Sequence, residues 1–380
     1  MAPALAEVNT VKSLAGLGIK DLLADQVKTV KSLADLGIKD LPLNYVKDED
    51  ERSSVAYNDF SKAVPVISLA NAGAGGAERA QLIKELRAAC EEWGMFQIID
   101  HGIPTELNSQ LMSCANNFFS LSVEEKRQYA IKAGQFVGYG NGSFINDDPL
   151  MDWRELFVAA CSPAREIQSW PAKPVQFREA LAKYSDATLN LAKTLLGLIS
   201  ESLGVEADAI EKACGEGQQK VLLNYYPTCP RPDLTLGLKR HTDPGTLTIL
   251  LQDKVGGLQA TKDDGKTWIT VQPIDGAFVV NLGDQMHVLS NGILKSADHQ
   301  AVVNSNVLRQ SIATFYNPHP GSVVYPLDAL TRASNGKSGG GRTFERYVYS
   351  EFYQRKMTKH VLDRQIKLSM ATRSVQQPEV

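Results

Sequence analysis

The sequence of 380 residues is informative first through what it lacks. Its formal net charge is only −3, so there is no electrostatic reason to expect binding to nucleic acid or to an anionic membrane surface. No segment approaches the ~18 to 20 consecutive apolar residues that a membrane-spanning helix requires. The first residues lack a basic segment followed by an apolar one, and we therefore expect no secretory signal. A hydrophobic content of 43% nevertheless indicates a sizeable folded core.

Cysteine is also scarce and irregularly placed. The five cysteines lack the paired spacing of a metal site, and they are Cys90, Cys114, Cys161, Cys214 and Cys229. An odd number of scattered cysteines is typical of reduced thiols, which predicts a cytoplasmic protein. We further expect a monomer whose partners are small molecules.

Three residues in the second half of the chain predict a metal centre. His241 and Asp243 are separated by one residue, so on an extended strand their side chains point to the same side. His299 lies in another segment with strand character, which can complete the group in a folded barrel. Two imidazoles and one carboxylate are the protein ligands of non-haem iron oxygenases, in which three coordination positions stay open for chemistry.

An anion-binding pair follows ten residues after the second of these histidines. Arg309 and Ser311 share one face of a predicted strand, where a guanidinium and a hydroxyl can hold a carboxylate. This pair implies a cosubstrate with a distal carboxylate. Phe315 lies further along the same face, and we expect it to line the same pocket. A second predicted strand presents three more residues on one face, namely Leu222, Asn224 and Tyr226. We expect the amide and the phenol of that strand to contact the cosubstrate.

Longer motifs surround these residues. The run from Asn224 reads NYYPTCPRPDLTLGLKRHTDPGT, and further motifs occupy residues 256–260, 276–284 and 297–305. Through these motifs the chain resembles the plant 2-oxoglutarate/Fe(II)-dependent dioxygenases, over roughly residues 45–360. Within that family it resembles most closely the flavanone-oxidising members, flavanone 3-hydroxylase and flavone synthase I.

The resemblance implies a cofactor, a cosubstrate and a reaction. It implies that His241, Asp243 and His299 bind Fe(II), and that Arg309 and Ser311 hold the distal carboxylate of 2-oxoglutarate. Dioxygen and 2-oxoglutarate would be consumed, succinate and carbon dioxide would be released, and ascorbate would serve as the reductant. The implied substrate is a flavanone such as naringenin, which would undergo 3-hydroxylation to a dihydroflavonol, 2,3-desaturation to a flavone, or both.

The residues expected to contact the substrate are Leu222, Phe315, Tyr139 and Phe144, the last two in a glycine-rich segment over residues 134–144. Relatives that act on flavonol or anthocyanidin precursors usually carry Lys and Glu where this chain has Leu222 and Asn317, which favours a flavanone. Two alternatives stay open: a flavonol synthase, anthocyanidin synthase-like or hormone-oxidising member of the family, and a non-catalytic binding protein built on the same barrel. Arg154 and Glu155 are expected to be structural.

The sequence predicts an α+β fold. Residues 216–330 are rich in short β segments separated by Gly, Pro and Asp, which indicates a double-stranded β-helix, or jelly-roll, catalytic core flanked by helices. Residues 61–215 are expected to form a mixed, mainly helical region. Residues 331–380 are expected to be a loop and a C-terminal helical cap, and residues 1–60 an N-terminal helical extension.

Helical spacing of apolar residues recurs over residues 78–93, 106–120 and 176–204, and the last of these predicts one long helix that ends at a glycine. The N-terminal extension contains a local duplication, because residues 11–22 recur as residues 30–41. We expect the second copy to be the N-terminal helix of the family and the first to be an additional helix.

Overall fold

The structure is a computed structural model that describes residues 29–132, 134–142, 151–331 and 344–358. Its helices are α1 (Val30–Asp35), α2 (Gly76–Glu92), α3 (Thr105–Phe119), α4 (Val123–Arg127), α5 (Phe177–Ser202), α6 (Ala209–Cys214), α7 (Asp284–Leu289), α8 (Asp328–Thr331) and α9 (Tyr349–Thr358). Short 3-10 helices lie at Leu43–Tyr45, Glu49–Glu51 and Ile167–Ser169. The strands are β1 (Phe60–Ser61), β2 (Val66–Ser68), β3 (Met95–Ile99), β4 (Gly138–Asn141), β5 (Glu155–Ser162), β6 (Gln218–Tyr226), β7 (Leu238–His241), β8 (Leu247–Gln252), β9 (Leu258–Thr261), β10 (Ile269–Val271), β11 (Phe278–Leu282), β12 (Asp298–Ala301), β13 (Arg309–Asn317), β14 (Val323–Val324) and β15 (Tyr347–Val348). Within these residues, no helix combines the length and the apolar character needed to cross a membrane.

Three long helices form a layer against the larger sheet. The longest, α5, packs against α2 and α3, and its buried residues recur every three or four positions: Leu181, Tyr184, Thr188, Leu191, Leu195 and Leu198. The chain leaves α5 through Gly204, whose φ of +73° is readily adopted by glycine. The long helix predicted over residues 176–204 is therefore confirmed. The two shorter predicted helices are also present, each shifted by one or two residues.

Two facing sheets form the jelly roll. The larger sheet has the strand order β2-β3-β11-β8-β13-β6-β5-β4, and the smaller has the order β1-β10-β9-β12-β7. Along β13 the side chains alternate, because Ile312 and Tyr316 join the core beneath the helices whereas Ala313 joins an apolar cluster between the sheets. The jelly-roll prediction is confirmed. The larger sheet also continues across the boundary predicted at residue 216, since β5 pairs with β6.

Strand pairing brings residues that are distant in sequence to one place. The antiparallel pair β7 and β12 sets His241 opposite His299 in the smaller sheet. In the larger sheet, β13 pairs with β6 in the register Arg309 to Tyr226, Ser311 to Asn224, Ala313 to Leu222 and Phe315 to Lys220. The sequence predicted the face of β13 and the face of β6 separately. In the structure they form one continuous surface, which lies opposite His241 and His299.

The terminal helices pack onto this core. α1 lies in the second copy of the duplicated segment, and its first residue, Val30, is fully buried. The first copy lies outside the described residues. In α9, Tyr349 and Phe352 are buried in the main hydrophobic core, so they dock the helix. The described part of the C-terminal helical cap therefore agrees with the prediction, and residues 359–380 lie outside the described residues.

Candidate metal centre and active site

Three potential metal ligands converge between the sheets. The ligand atoms of His241, Asp243 and His299 all lie within 4.8 Å of one another. Asp243 Oδ1 is 3.6 Å from His241 Nε2 and 3.9 Å from His299 Nε2. One oxygen and two nitrogens at these separations can hold one metal ion from one side. The structure therefore brings together the three residues that the sequence predicted as metal ligands.

The local geometry differs from the expected strand alternation. β7 ends at His241, so Asp243 lies beyond the strand and not within it. The backbone N–H of Asp284 donates to the carbonyl of Asp243 over 2.9 Å, which holds the connection between β7 and β8 in place. This connection, and not alternation along one strand, brings the carboxylate to the imidazoles.

Hydrogen bonds orient all three potential ligands. His241 Nδ1 lies 2.8 Å from the carbonyl of Lys239, and His299 Nδ1 lies 3.1 Å from the carbonyl of Ala297. Each contact places the proton of a neutral ring on Nδ1 and leaves the Nε2 lone pair directed at the shared point. The Thr248 hydroxyl donates to Asp243 Oδ2 over 2.7 Å, which leaves Oδ1 for the metal.

Burial and mutual proximity shift the pKa values of these groups. Burial by itself would raise the pKa of Asp243, but the two imidazoles and the Thr248 hydroxyl outweigh it and hold that pKa well below its usual range. Burial, followed by the neighbouring His241, lowers the pKa of His299 to about 4. A carboxylate and a neutral imidazole are the protonation states in which these side chains bind a metal.

The buried guanidinium of Arg309 provides an anion site. Its Nε donates to the carbonyl of Gly256 over 2.5 Å, and the guanidinium carbon lies 4.8 Å from the centre of the Tyr226 ring. Its Nη1 is buried and has no hydrogen-bond partner among the described residues. Because a buried N–H without a partner costs about 1 to 3 kcal/mol, this atom fits a ligand that brings a carboxylate. The donor set thus suits the distal end of 2-oxoglutarate.

Asn224 and Ser311 continue the polar wall beside this site. Asn224 Nδ2 lies 3.4 Å from Ser311 Oγ, and Asn224 Oδ1 accepts a 3.0 Å hydrogen bond from Arg154 Nη1. Arg154 was expected to have a structural role, and its buried guanidinium indeed orients the amide. It does not pair with Glu155, which follows it in the chain and bonds to other residues.

An open cavity lies between the sheets, and its lining includes the three potential ligands, Arg309 and Ser311. The apolar side chains of its wall are Leu222, Leu238, Leu250, Leu258, Ala301, Ala313 and Phe315. Leu222 and Phe315 therefore lie where a substrate contact was expected. The predicted contact Phe144 lies outside the described residues.

Tyr139 lies elsewhere, contrary to the expectation of a substrate contact. It belongs to the hydrophobic core beneath the helices, and its ring packs edge-on against Phe118 with centroids 6.0 Å apart. Its hydroxyl donates to the fully buried Glu155 over 2.7 Å, and Lys126 Nζ also bonds Glu155 over 2.7 Å. Tyr139 can lie in the core because the buried carboxylate of Glu155 accepts a hydrogen bond from its hydroxyl.

Sequence reasoning missed Thr248 and Asn281. Both line the cavity, and both are almost completely buried. Thr248 orients Asp243, and Asn281 Nδ2 lies 3.5 Å from His299 Nε2. Neither position carries a local signal, because the residue type alone does not reveal that the chain turns back between Asp243 and Thr248, or that His299 comes to lie beside Asn281.

Comparison with known proteins identifies the family. Residues 217–318 match the 2OG-Fe(II) oxygenase superfamily, and residues 64–176 match the N-terminal region of non-haem dioxygenase in morphine synthesis. Naringenin,2-oxoglutarate 3-dioxygenase of Petunia hybrida is 50% identical over 315 residues, which cover 82% of this chain and 84% of that protein. The chain belongs to the 2OG-Fe(II) oxygenase superfamily.

Two further relatives place this oxygenase more closely. Flavone synthase of Petroselinum crispum is 49% identical over 318 residues, covering 83% of this chain and 86% of that protein. The solved structure of JOX2 in complex with 2OG, Fe and JA superposes with a TM-score of 0.81 at 31% identity, covering 91% of this chain and 98% of that one. The chain is therefore a dioxygenase that uses Fe(II) and 2-oxoglutarate, with ascorbate as the reductant typical of the family.

Proposed function

We propose that this oxygenase oxidises a flavanone such as naringenin, by 3-hydroxylation to a dihydroflavonol, by 2,3-desaturation to a flavone, or by both. Relatives at about half identity bear names for both reactions, flavanone 3-dioxygenase and flavone synthase, each in Petroselinum crispum. Both reactions begin with the same flavanone and differ in which hydrogens are removed. The position of the flavanone in the cavity therefore determines the product. A displacement of the substrate by about 1 Å can change the rate of oxidation on the order of a hundredfold.

The polarity gradient along the cavity carries this proposal. One end has the cation of Arg309, whereas the other end has Leu222 and Phe315. A small keto acid suits the first end and a flat, largely apolar ring system suits the second. Leu222 keeps this part of the lining apolar, whereas a lysine at this position would place a cation within the lining itself.

We assign the residue roles accordingly. Bound Fe(II), together with 2-oxoglutarate and dioxygen, supplies the oxidising power for breaking a carbon–hydrogen bond. His241, Asp243 and His299 hold the metal in place. Arg309 and Ser311 bind the distal carboxylate of 2-oxoglutarate. Asn224 and Tyr226 support that end of the cosubstrate, and Leu222 and Phe315 orient the flavanone and exclude water from its reacting face.

The most useful assay combines purified protein with naringenin, ferrous iron, ascorbate and 2-oxoglutarate, and separates dihydrokaempferol from apigenin by chromatography. Either product, formed only when 2-oxoglutarate is present, supports the proposal, and their ratio identifies the reaction. Absence of both products, together with succinate formation from a different phenolic or from a hormone, would contradict the flavanone assignment.

We also propose that the enzyme acts as a monomer in the cytoplasm. All five cysteines are buried and free, which suits a reducing compartment. Light scattering on the eluting protein would measure its mass in solution, and a dimer mass would contradict the first part. Fractionation of expressing cells tests the second, and recovery from secretory organelles would contradict it.

A further inference from the structure

Lys220 occupies an unusual position beside two residues that line the cavity, Leu222 and Phe315. It lies on β6, two residues before Leu222, so the two side chains share the face that lines the cavity. On the neighbouring strand β13 it is paired with Phe315. Its ammonium lies 4.9 Å from the centre of the Tyr353 ring and 5.9 Å from the centre of the Phe136 ring. Three separate segments therefore surround one lysine with aromatic rings.

This ammonium is poorly satisfied. The Tyr353 hydroxyl, at 3.5 Å, is its one hydrogen-bond contact among the described residues, and no carboxylate of the described residues forms an ion pair with it. Burial lowers the pKa of Lys220, and no charged neighbour contributes to the shift. Aromatic faces attract a cation, but they do not replace the oxygen acceptors that three N–H groups require. The site therefore suits a ligand oxygen.

Strand pairing places Lys220 on the metal side of the β13 face and away from the keto-acid site. Phe315 is paired with Thr248 on its other side, and Thr248 bonds Asp243, so Lys220 lies at the metal end of the β13 face. Asn224, beside the keto-acid site, is four residues away along β6, or about 13 Å at the rise of a strand. Lys220 is thus remote from the carboxylate clamp, which is formed by Arg309 and Ser311. It lies on the side of the apolar residues Leu222 and Phe315.

We propose that Lys220 determines substrate specificity by donating a hydrogen bond to a phenolic oxygen of the flavanone, whose ring lies among Phe136, Phe315 and Tyr353. This inference rests on the proposed function and extends it, because it names the polar group of the substrate that the enzyme recognises. A phenol ring matches both parts of the site: its face packs against the aromatic side chains and its oxygen accepts from the ammonium. Without that oxygen, a bound substrate would cover the partly buried ammonium and leave it unsatisfied.

The test compares Lys220→Met, which keeps the length of the side chain and removes its donors, with Lys220→Arg, which keeps a cationic donor. Lys183→Met serves as the matched control, since Lys183 is an exposed lysine of α5 that pairs with Glu179. For each protein, KM and kcat are measured with naringenin, with flavanones that lack one phenolic hydroxyl each, and with unsubstituted flavanone. KM for 2-oxoglutarate reports whether the carboxylate clamp is intact, and the thermal midpoint of unfolding reports whether the fold is intact.

A hydrogen bond between a charged donor and a phenolic oxygen predicts that Lys220→Met raises KM for naringenin by roughly 10- to 100-fold. The effect disappears with the flavanone that lacks the recognised hydroxyl and with unsubstituted flavanone, and Lys220→Arg restores much of the lost affinity. KM for 2-oxoglutarate stays within about twofold. If Lys220→Met lowers the thermal midpoint strongly, Lys220→Gln replaces it in the same series.

Two different results would overturn the inference, and they can be distinguished. If wild-type protein oxidises naringenin and the Lys220 variants lose equal affinity for hydroxylated and unsubstituted flavanones, the proposed contact is wrong while the proposed function stands. If wild-type protein oxidises no flavanone but the same variants lose turnover of a carboxylic acid hormone, the proposed function is wrong, and Lys220 binds a carboxylate instead.

Discussion

The Thr248 hydroxyl donates a 2.7 Å hydrogen bond to Oδ2 of Asp243. Thr248 lies on β8 of the larger sheet, whereas His241 and His299 belong to the smaller sheet. This single bond therefore connects the proposed metal centre to the opposite layer of the jelly roll. It also fixes which carboxylate oxygen faces the two imidazoles.

We expect Thr248→Val to weaken metal binding without unfolding the protein. The substitution keeps the shape of the side chain and removes the donor, so the carboxylate of Asp243 can rotate away from the imidazoles. Loss of such an orienting contact typically costs roughly 10- to 100-fold in metal affinity. Titration with Mn²⁺, which does not oxidise during the measurement, gives this affinity. Thr248→Ser retains the hydroxyl and is expected to stay close to wild type; equal affinities for the serine and valine variants would refute the role.

The sequence predicted those site residues whose signal is local. His241, Asp243, Arg309 and Ser311 are recognisable from their spacing and chemistry, and Leu222 lies in the cavity as its strand face suggested. The spacing of these residues can be recognised in the sequence without knowledge of the fold. The helices were predicted for the same reason, because apolar spacing over a long segment is a local property.

The missed features all depend on contacts that the residue pattern of a single strand does not reveal. Thr248 acquires its role only when β8 lies beside the connection after β7, and Lys220 acquires its aromatic neighbours from a loop and from α9. Tyr139 failed as a predicted substrate contact for the same reason. Its glycine-rich segment does not reveal that buried Glu155 provides a partner for its hydroxyl inside the core.

Gly257 allows a test of the carboxylate clamp that leaves Arg309 and Ser311 themselves unchanged. Its φ is +94°, and a Cβ there would lie 2.8 Å from the carbonyl oxygen of Val302 and 3.3 Å from Arg309 Cδ. We expect Gly257→Ala to displace Arg309 and to raise KM for 2-oxoglutarate by about tenfold or more, with a smaller change in KM for the flavanone. Steady-state kinetics with each substrate varied in turn measures both.

Gly102→Ala is the matched control for this experiment. Gly102 also has a positive φ, +77°, but a Cβ there would meet nothing within 4 Å. Both variants therefore introduce backbone strain, and only Gly257→Ala adds a clash next to Arg309. Similar kinetics for the two alanine variants would contradict the positioning of Arg309 by the Gly256–Gly257 turn.

The low pKa of His299 predicts how the metal-free protein responds to acid. In the unfolded chain a histidine binds a proton below about pH 6.5, whereas in the folded protein His299 does so only near pH 4. The contribution of neutral His299 to the free energy of unfolding is therefore complete above pH 6.5, and it is lost as the pH falls from 6.5 to 4. Thermal midpoints of metal-free protein should decline across this window, and more steeply for wild type than for His299→Gln. Parallel declines would show that His299 is not the group responsible.

The carboxylate of Asp243 and the imidazoles of His241 and His299 are expected to hold the Fe(II) that drives 2-oxoglutarate turnover. The most direct measurement is the Fe(II) content of anaerobically loaded protein, together with succinate formed per minute, for wild type, Asp243→Ala and the exposed control Asp186→Ala. We expect one Fe(II) per chain and steady succinate formation for wild type and for the control, and loss of both for Asp243→Ala. Undiminished iron and succinate in Asp243→Ala would contradict the account.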